Sequence, residues 1–190
     1  GVPYRIVAGL RFYERKEIRD MISYLSVINN PNDEIRLRRI INQPKRSIGD
    51  KTIAQAAEIA TALDQSLFSV ISNADQYPSL SRSAPKLQQF STMMNELIQA
   101  AKDPQIGLKE LYELMLDKTD YIASLKVGVE EGAQERLENI NELSSNLQQY
   151  EEDNGEEASL EGFLEEVSLM TDIDNYDREA DSVVMMTMHS

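Results

Sequence analysis

The chain has 190 residues, of which 41% are hydrophobic, and a formal net charge of -14. A chain of this length buries roughly 70% of its unfolded surface on folding, which is enough for one domain or one large subdomain. It contains no cysteine, which excludes disulfides, thiol catalysis and zinc-thiolate sites.

The sequence shows no targeting or membrane-spanning segment. No apolar run approaches the roughly 20 residues that a membrane span needs. The first residues lack the pattern of a signal peptide. We therefore expect a soluble, cytoplasmic protein with no membrane partner.

The acidic net charge is unevenly distributed along the chain. Residues 1–51 carry 11 Lys and Arg against 6 Asp and Glu, a net charge of +5. The remainder carries 8 basic and 27 acidic residues, a net charge of -19. A uniformly acidic surface repels phosphates, so a polyanionic partner, if there is one, is expected at the N-terminal end.

The N-terminal quarter predicts one strand followed by three helices. Residues 4–8 alternate like a short strand. Apolar residues at spacings of three and four then predict an amphipathic helix over residues 15–29. Asp33 is placed to cap a second helix that ends before Pro44, and Asp50 to cap a third.

The rest of the chain is predicted to be mainly helical. A loop is predicted over 151–159, an acidic aperiodic segment over 171–181 and a second strand over 182–188. The predicted fold is mainly α, a multi-helix subdomain with a helix-hairpin-helix-like corner and one short strand near each terminus. Lone strands make no stable sheet, so these two pair with each other or belong to a larger sheet. The further helices are predicted near residues 66–72, 80–101, 107–117, 130–150 and 158–169.

The stretch QPKRSIGDKT, residues 43–52, connects two of the predicted helices. Its turn and the first turn of the next helix leave backbone N–H groups free to donate hydrogen bonds to phosphate oxygens. Gly49 can take a positive φ and leaves room for close approach, and Ile48 can anchor the turn in the core. The cations expected to face a phosphate backbone are Lys45, Arg46 and Lys51. The alternative is an ordinary corner, because proline and glycine commonly separate helices.

The sequence lacks the groups needed for catalysis, so we expect no catalytic and no metal-binding residue. No G-x-x-x-x-G-K-[ST] loop is present, and a single histidine without cysteine assembles neither a triad nor a zinc hydrolase. The acidic run from Glu151 to Glu157 lacks the spacing of a calcium loop, and no glutamate follows Asp172, Asp174 and Asp177 at the required offset.

Two flanking segments resemble a known family. The first is GVPYRIVAGLRFYERKEIRDMISYLSVINNPNDEIRLRRIINQPKRSIGDKTI, and the second is SLMTDIDNYDREADSVVMMTMHS. They resemble the passage of superfamily-one DNA helicases of the PcrA/UvrD/Rep group into and out of inserted domain 2B, with the PcrA branch favoured. Residues 1–14 then correspond to a strand and hinge from motor domain 2A, 15–170 to helical domain 2B, and 171–190 to an acidic return ending in motif V.

This resemblance implies a function. In such helicases two RecA-like domains hydrolyse ATP with Mg²⁺ and step 3′ to 5′ on single-stranded DNA, while domain 2B swivels and contacts duplex ahead of the fork. The implied partners are double-stranded DNA near a single-strand junction and the motor domains of the same chain. The fragment itself is expected to hold no cofactor and to be catalytically inactive.

The family's Gly-Ile-Gly loop falls on Ser47, Ile48 and Gly49. The resemblance gives these three residues, with Lys45, Arg46, Lys51 and Thr52, a role in holding the duplex backbone. The sequence departs from the family at Ser47, where glycine is usual. If that glycine supplies a positive φ, serine strains the turn by about 1 kcal/mol. If it supplies clearance, the serine hydroxyl adds a phosphate hydrogen bond.

Two further segments acquire a role only through the resemblance. Motif V covers 186–190, and its Thr187 and His189 would lie by the single strand in an intact enzyme. Residues 12–20 resemble the junction between motor and insertion, for which a charged helix start is the alternative to a hinge.

Two functional classes remain open. In the first, the chain grips duplex DNA and regulates an ATP-dependent helicase of DNA repair or replication. In the second, it is a protein-docking module of the same helicase without significant DNA affinity, in which the acids of 151–181 meet a basic accessory protein.

Overall fold

The computed structural model describes residues 11–127 and 131–172, and these form a helical body. A helical turn at 11–14 leads into α1 (Lys16–Asn29), and the last described helix, α9, covers residues 160–172. Three short 3₁₀ helices lie at Ala74–Gln76, Pro78–Leu80 and Gly155–Glu157. The helices between α1 and α9 are α2 (Glu34–Ile40), α3 (Asp50–Ala62), α4 (Leu67–Ser72), α5 (Ala84–Lys102), α6 (Leu108–Thr119), α7 (Tyr121–Val127) and α8 (Ala133–Asn154).

Helix α1 is the centre of the body. Its side chains Ile18, Met21, Tyr24 and Leu25 are fully buried. Because apolar residues occupy more than one of its faces, α1 contacts α2, α5 and α8 at the same time. The predicted helix is therefore present, and most of it belongs to the core.

A second group of helices, α6 to α9, completes the core. Tyr112 of α6 is fully buried and donates a hydrogen bond to the Ile140 carbonyl oxygen at 2.8 Å. Tyr150 of α8 meets Phe163 of α9 edge to face, with ring centroids 5.5 Å apart. These contacts tie the acidic C-terminal half to the body through apolar surface.

The predicted mainly α fold is confirmed, and several boundaries agree closely. Asp33 caps α2 as expected, since its carboxylate accepts a hydrogen bond from the Arg36 amide at 3.2 Å. The chain breaks expected near residues 77–78, 103–104 and 155 are all present. The predicted strands over 4–8 and 182–188 lie outside the described residues.

Three predictions of local structure were wrong. Gly49, not Asp50, occupies the cap of α3, and Asp50 is the first helical residue. The predicted loop over 151–159 is helical as far as Asn154, because α8 continues to that residue. The prediction also missed α7, which follows a left-handed turn at Asp120 with φ 55°.

Across the described ranges, every helix is too short or too polar to cross a lipid bilayer.

Candidate nucleic-acid interface

The corner, residues 41–49, connects α2 to α3 and is organised around one asparagine. Oδ1 of Asn42 accepts hydrogen bonds from the backbone N–H groups of Arg46, at 2.7 Å, and Ile48, at 3.4 Å. The peptide bond between Gln43 and Pro44 is cis. Ile48 is 1% exposed, so it anchors the corner in the core as expected from the sequence.

The side chain of Arg46 turns inward. Its Nη1 donates hydrogen bonds to the carbonyl oxygens of Ile40, at 2.8 Å, and Ile41, at 3.0 Å. Its Nη2 donates to the Tyr24 hydroxyl at 2.6 Å, and its guanidinium lies 5.0 Å from the centre of the Phe90 ring. Arg46 thus binds carbonyl groups at the end of α2, of which that of Ile40 also accepts from the Gln43 amide at 3.0 Å. The expectation that it faces outward toward phosphate does not match this geometry.

The hydroxyl of Tyr24 is shared between Arg46 and the corner backbone. It accepts from Arg46 and donates to the carbonyl oxygen of Gln43. Burial raises the pKa of Tyr24 to about 12, although the neighbouring Arg46 charge and hydrogen bond act in the opposite direction. Tyr24 therefore remains a neutral hydroxyl at physiological pH and can keep both bonds.

In the stretch Ser47-Ile48-Gly49, the positive φ lies at the first residue and not at the last. Ser47 has a φ of 60°, whereas Gly49 has a φ of -75° and a ψ of 159°. Gly49 therefore does not take the positive φ that the sequence allows there. Ser47 instead occupies the left-handed region that favours glycine, which corresponds to the strained case. A Cβ added at Gly49 would have no atom within 4 Å, so this position faces open space.

The start of α3 has no side-chain cap and lies beside exposed cations. Gly49 takes the cap position without a side-chain hydrogen bond, and Gly49, Asp50 and Lys51 are exposed. Lys45 is also exposed, so both lysines expected to face a phosphate reach solvent here. Asp50 is the acidic residue of this stretch, and its carboxylate opposes an incoming phosphate. The first N–H groups of α3 have no acceptor within the helix.

The start of α6 has the same backbone geometry and holds an anion. Gly107 caps α6 with φ -75° and ψ 171°, close to the angles of Gly49. There the Glu151 carboxylate accepts hydrogen bonds from the backbone N–H groups of Leu108 and Lys109, the second at 3.3 Å. The extended glycine cap of α6 is thus filled by a carboxylate, whereas the one at α3 is open.

Thr52 and Ser47 have different surroundings. Thr52 is half-buried, and its Oγ1 lies 3.3 Å from the hydroxyl of Ser83 just before α5. Ser47 is exposed, so its hydroxyl is accessible to a ligand. Sequence reasoning missed Asn42 and Tyr24, which shape the corner. The available signal was an asparagine close before a proline, a combination typical of turns.

Residues 12–20 are built into the helical body. Oδ1 of Asp20, a residue 1% exposed, accepts from Nε of Arg39 at 3.0 Å, and its Oδ2 accepts from the Tyr121 hydroxyl at 2.7 Å. The Asn139 side chain donates to Glu17 at 2.6 Å and accepts from Arg15. This polar network joins the first residues of α1 to α2, α7 and α8.

The remaining predicted sites do not form a metal centre in the part of the chain that the structure describes. No group of three or more histidine, aspartate or glutamate side chains in these residues is placed to bind a metal ion. In the acidic run, Glu151 caps α6, and Asp153 accepts from Gln149 at 2.9 Å. Thr187 and His189 of motif V lie outside the described residues, as do Asp174 and Asp177.

Comparison with known proteins identifies relatives over the whole chain. The family described as UvrD-like helicase C-terminal domain matches residues 1–190. The ATP-dependent DNA helicase PcrA of Bacillus subtilis is 35% identical over 196 residues, and that of Staphylococcus aureus strain Mu50 is 40% identical over 193 residues. PcrA of Staphylococcus epidermidis is 37% identical over 191 residues. Each match covers 100% of this chain and 26% of the relative, so the chain spans about a quarter of their length.

Proposed function

The chain belongs to the UvrD-like helicase C-terminal domain family, and from that premise we propose that it is the duplex-DNA-binding and regulatory subdomain of an ATP-dependent 3′-5′ DNA helicase of DNA repair or replication. In this proposal, residues 15–170 form domain 2B, whose helix-hairpin-helix-like corner holds the phosphate backbone of the duplex beside a single-strand junction. The flanks 1–14 and 171–190 connect it to motor domain 2A.

The observation that carries the proposal is the open, glycine-capped start of α3. Gly107 and Gly49 have nearly the same φ and ψ, and the first cradles the Glu151 carboxylate. A phosphate oxygen is an acceptor of the same kind as a carboxylate oxygen, and helix starts favour negative charge. The carboxylate at the start of α6 therefore supports an anion at the open start of α3, and Lys45 and Lys51 add long-range attraction.

The seven predicted residues divide into two roles. Lys45, Gly49 and Lys51 are exposed and would meet the phosphates directly, with the Ser47 hydroxyl as a further donor. Arg46 and Ile48 position the corner from inside, and half-buried Thr52 joins α3 to the residue before α5. Contacts of this type go to phosphate and not to base edges, so binding should be independent of sequence and weakened by salt.

The ATP-dependent part of the proposed activity belongs to motor domains that this chain does not contain. Its residues supply no phosphate-binding loop for ATP and no carboxylate pair for Mg²⁺, so the fit to these cofactors fails here. Within a complete helicase, Thr187 and His189 of motif V would lie by the single strand. The role of the present chain is binding and orientation of duplex.

A protein-docking role is the second candidate. It is favoured by the exposed face of α9, where Leu169 is 63% exposed beside Glu165 and Glu166. An apolar residue flanked by acids fits a basic partner surface, such as that of a replication or repair accessory protein. The two roles use different parts of the molecule and can therefore be separated by mutation.

The test is fluorescence anisotropy of the 190-residue chain on a blunt hairpin duplex and on single-stranded DNA across a salt series. Gly49→Val is the informative variant, because an added Cβ has no protein atom within 4 Å and the side chain should block close approach of a phosphate. Lys45→Gln/Lys51→Gln removes the two exposed charges. Both variants should lose most duplex affinity while their melting temperatures stay near that of the parent. The valine at a cap position should lower the free energy of unfolding by about 1 kcal/mol.

A matched control removes two cations at a distance from the corner. Lys102→Gln/Lys109→Gln changes net charge by the same amount near the far end of α5 and the start of α6. This control should bind duplex like the parent. If the parent shows no duplex binding at low salt, the duplex-gripping role is wrong, and binding of a basic partner should be tested with Glu165→Gln/Glu166→Gln.

A further inference from the structure

A cleft of about 720 Å³ lies between α1, α2 and α9. Its lining residues in the described ranges include none from the corner. The residues that α9 contributes recur at helical spacing and therefore form one face of that helix. They are Leu164, Val167, Ser168, Thr171 and Asp172.

Two arginines in this cleft have no acidic partner within the described residues. Arg19 of α1 is exposed and forms no ion pair there. Arg36 of α2 donates from Nη1 to the Ser23 hydroxyl at 3.3 Å and likewise has no carboxylate partner. Arg39 differs, because its Nε donates to the buried Asp20 carboxylate at 3.0 Å. We call this site, defined by Arg19, Arg36 and Arg39, the arginine cleft.

The acids of the arginine cleft leave both cations available. Asp33 and Asp172 are the acids that line it in the described ranges. The Asp33 carboxylate accepts from the Arg36 amide at 3.2 Å and so caps α2, and Asp172 is exposed at the end of α9. Ile35, also in the cleft, is 82% exposed. The ligand that matches two cations and one exposed apolar side chain is an acidic segment that also carries apolar residues.

The chain itself supplies such a segment directly after α9. Residues 173–181, IDNYDREAD, contain four acids against one arginine, a net charge of -3, together with Ile173 and Tyr176. Asp174 is two residues beyond Asp172, so its Cα is at most about 7 Å from the Cα of a residue that lines the cleft. The acids therefore begin within side-chain reach of the unpaired arginines.

We propose that the arginine cleft binds residues 173–181 of the same chain, with the carboxylates of Asp174 and Asp177 on Arg19 and Arg36. An apolar residue of the segment covers the exposed isoleucine of the cleft. The bound segment fastens the end of α9 to α1 and α2. It also uses acids that would otherwise be open to a basic partner. The inference involves no contact with DNA, so it is independent of the proposed duplex binding.

The experiment measures disulfide formation in the 190-residue chain carrying Ser26→Cys/Asn175→Cys. The parent has no cysteine, so these are the only thiols, and Ser26 lines the cleft. A disulfide needs the two Cα atoms within about 7 Å of each other. Its rate of formation with oxidised glutathione, followed by the mass of alkylated samples, reports how often the segment occupies the cleft. Tethering alone favours some reaction, so the decisive comparison is between charge variants.

Three charge variants are made in this double-cysteine protein. Arg19→Glu/Arg36→Glu should slow disulfide formation at least about fivefold, because two ion pairs are lost and repulsion replaces them. Adding Asp174→Arg/Asp177→Arg to that variant reverses both charges and should restore the rate. Lys86→Glu/Lys102→Glu makes the same change in net charge at two exposed positions of α5 and should leave the rate unchanged. High salt should slow the double-cysteine protein but not the reversed variant.

Folding is checked by thermal melting of every variant. Arg36 is half-buried, so Arg19→Glu alone is included as a variant at an exposed position, and it should slow the reaction about twofold without a change in melting. Equal rates in the double-cysteine protein and the reversed variant would mean that the segment does not bind the cleft, and the proposal would be wrong. It would also be wrong if the second charge reversal failed to restore the rate, since the arginines would then serve another acidic ligand.

Discussion

Arg46 provides the sharpest test of how the corner is built. Replacing it by alanine removes hydrogen bonds from a charged donor to the carbonyls of Ile40 and Ile41 and to the Tyr24 hydroxyl. A hydrogen bond that involves a charged group contributes about 1.5–3 kcal/mol to stability. The contributions of three such bonds to one half-buried side chain are not additive. We expect Arg46→Ala to lower the free energy of unfolding by about 3 kcal/mol, a decrease in Tm of about 6–12 °C for a chain of this size.

The assay is thermal and urea unfolding followed by circular dichroism, with Lys45→Ala as the neighbouring control. Lys45 is exposed, so its removal should change stability by less than about 0.5 kcal/mol. Arg46→Lys keeps the charge but not the planar guanidinium, and it should lower the free energy of unfolding by about 1–2 kcal/mol. If Arg46→Ala melts within a degree or so of Lys45→Ala, the inward guanidinium does not stabilise the corner, and the division between positioning and contacting residues fails.

Four further predictions concern single residues. Ser47→Gly should raise the free energy of unfolding by about 1 kcal/mol in urea titrations, because serine has φ 60°, and an unchanged midpoint would contradict this. Glu151→Ala should lower the free energy of unfolding by about 1 kcal/mol, measured by thermal melting, because α6 loses its cap. Burial raises the pKa of Tyr13 to about 12, above its value near 10 when unfolded. The contribution of Tyr13 to the free energy of unfolding is therefore complete below about pH 10 and lost between about pH 10 and 12. Tyr13→Phe should flatten that loss in urea unfolding. Asp50→Asn should tighten duplex binding about twofold in anisotropy titrations, and weaker binding would argue against phosphate at α3.

The periodicity of the sequence predicts most helices because burial imposes it. In α1 and α2, apolar residues recur at helical spacing and the structure buries them, for example Ile18, Leu25 and Leu37. Asp33 could be recognised as a cap because its role depends only on residues three positions away. Local rules therefore predict those features whose causes are local.

The features that could not be predicted depend on partners distant in sequence. The side chain of Arg46 turns inward because Tyr24 and Phe90 approach it only after folding. Glu151 continues α8 and caps α6 across 43 residues, where the acidic composition predicted a solvated loop. A charged residue in a sequence does not reveal whether its partner is water, a ligand or a carbonyl group.

The polar network at the start of α1 bears on how the domain could swivel. Arg15, Glu17 and Asp20 are tied to α2, α7 and α8, and Phe12 is 5% exposed. Bending within residues 12–20 would expose buried charge and break several hydrogen bonds, at a cost of a few kcal/mol for each unsatisfied group. If the domain swivels in a complete helicase, bending within α1 would therefore be costly, and we expect residues 12–20 to move with the body.

The acidic half of the chain is compatible with a duplex-binding corner because salt limits the range of its repulsion. At physiological ionic strength, charges further than about 8 Å from a phosphate are largely screened. The net charge of -19 beyond residue 51 therefore acts weakly on a phosphate held at Gly49, where the nearby lysines dominate. At low salt the same acids would repel DNA over a longer range. If the corner binds duplex as proposed, the asymmetry of charge would favour approach toward it, and the few residues beside it would set the affinity of the contact.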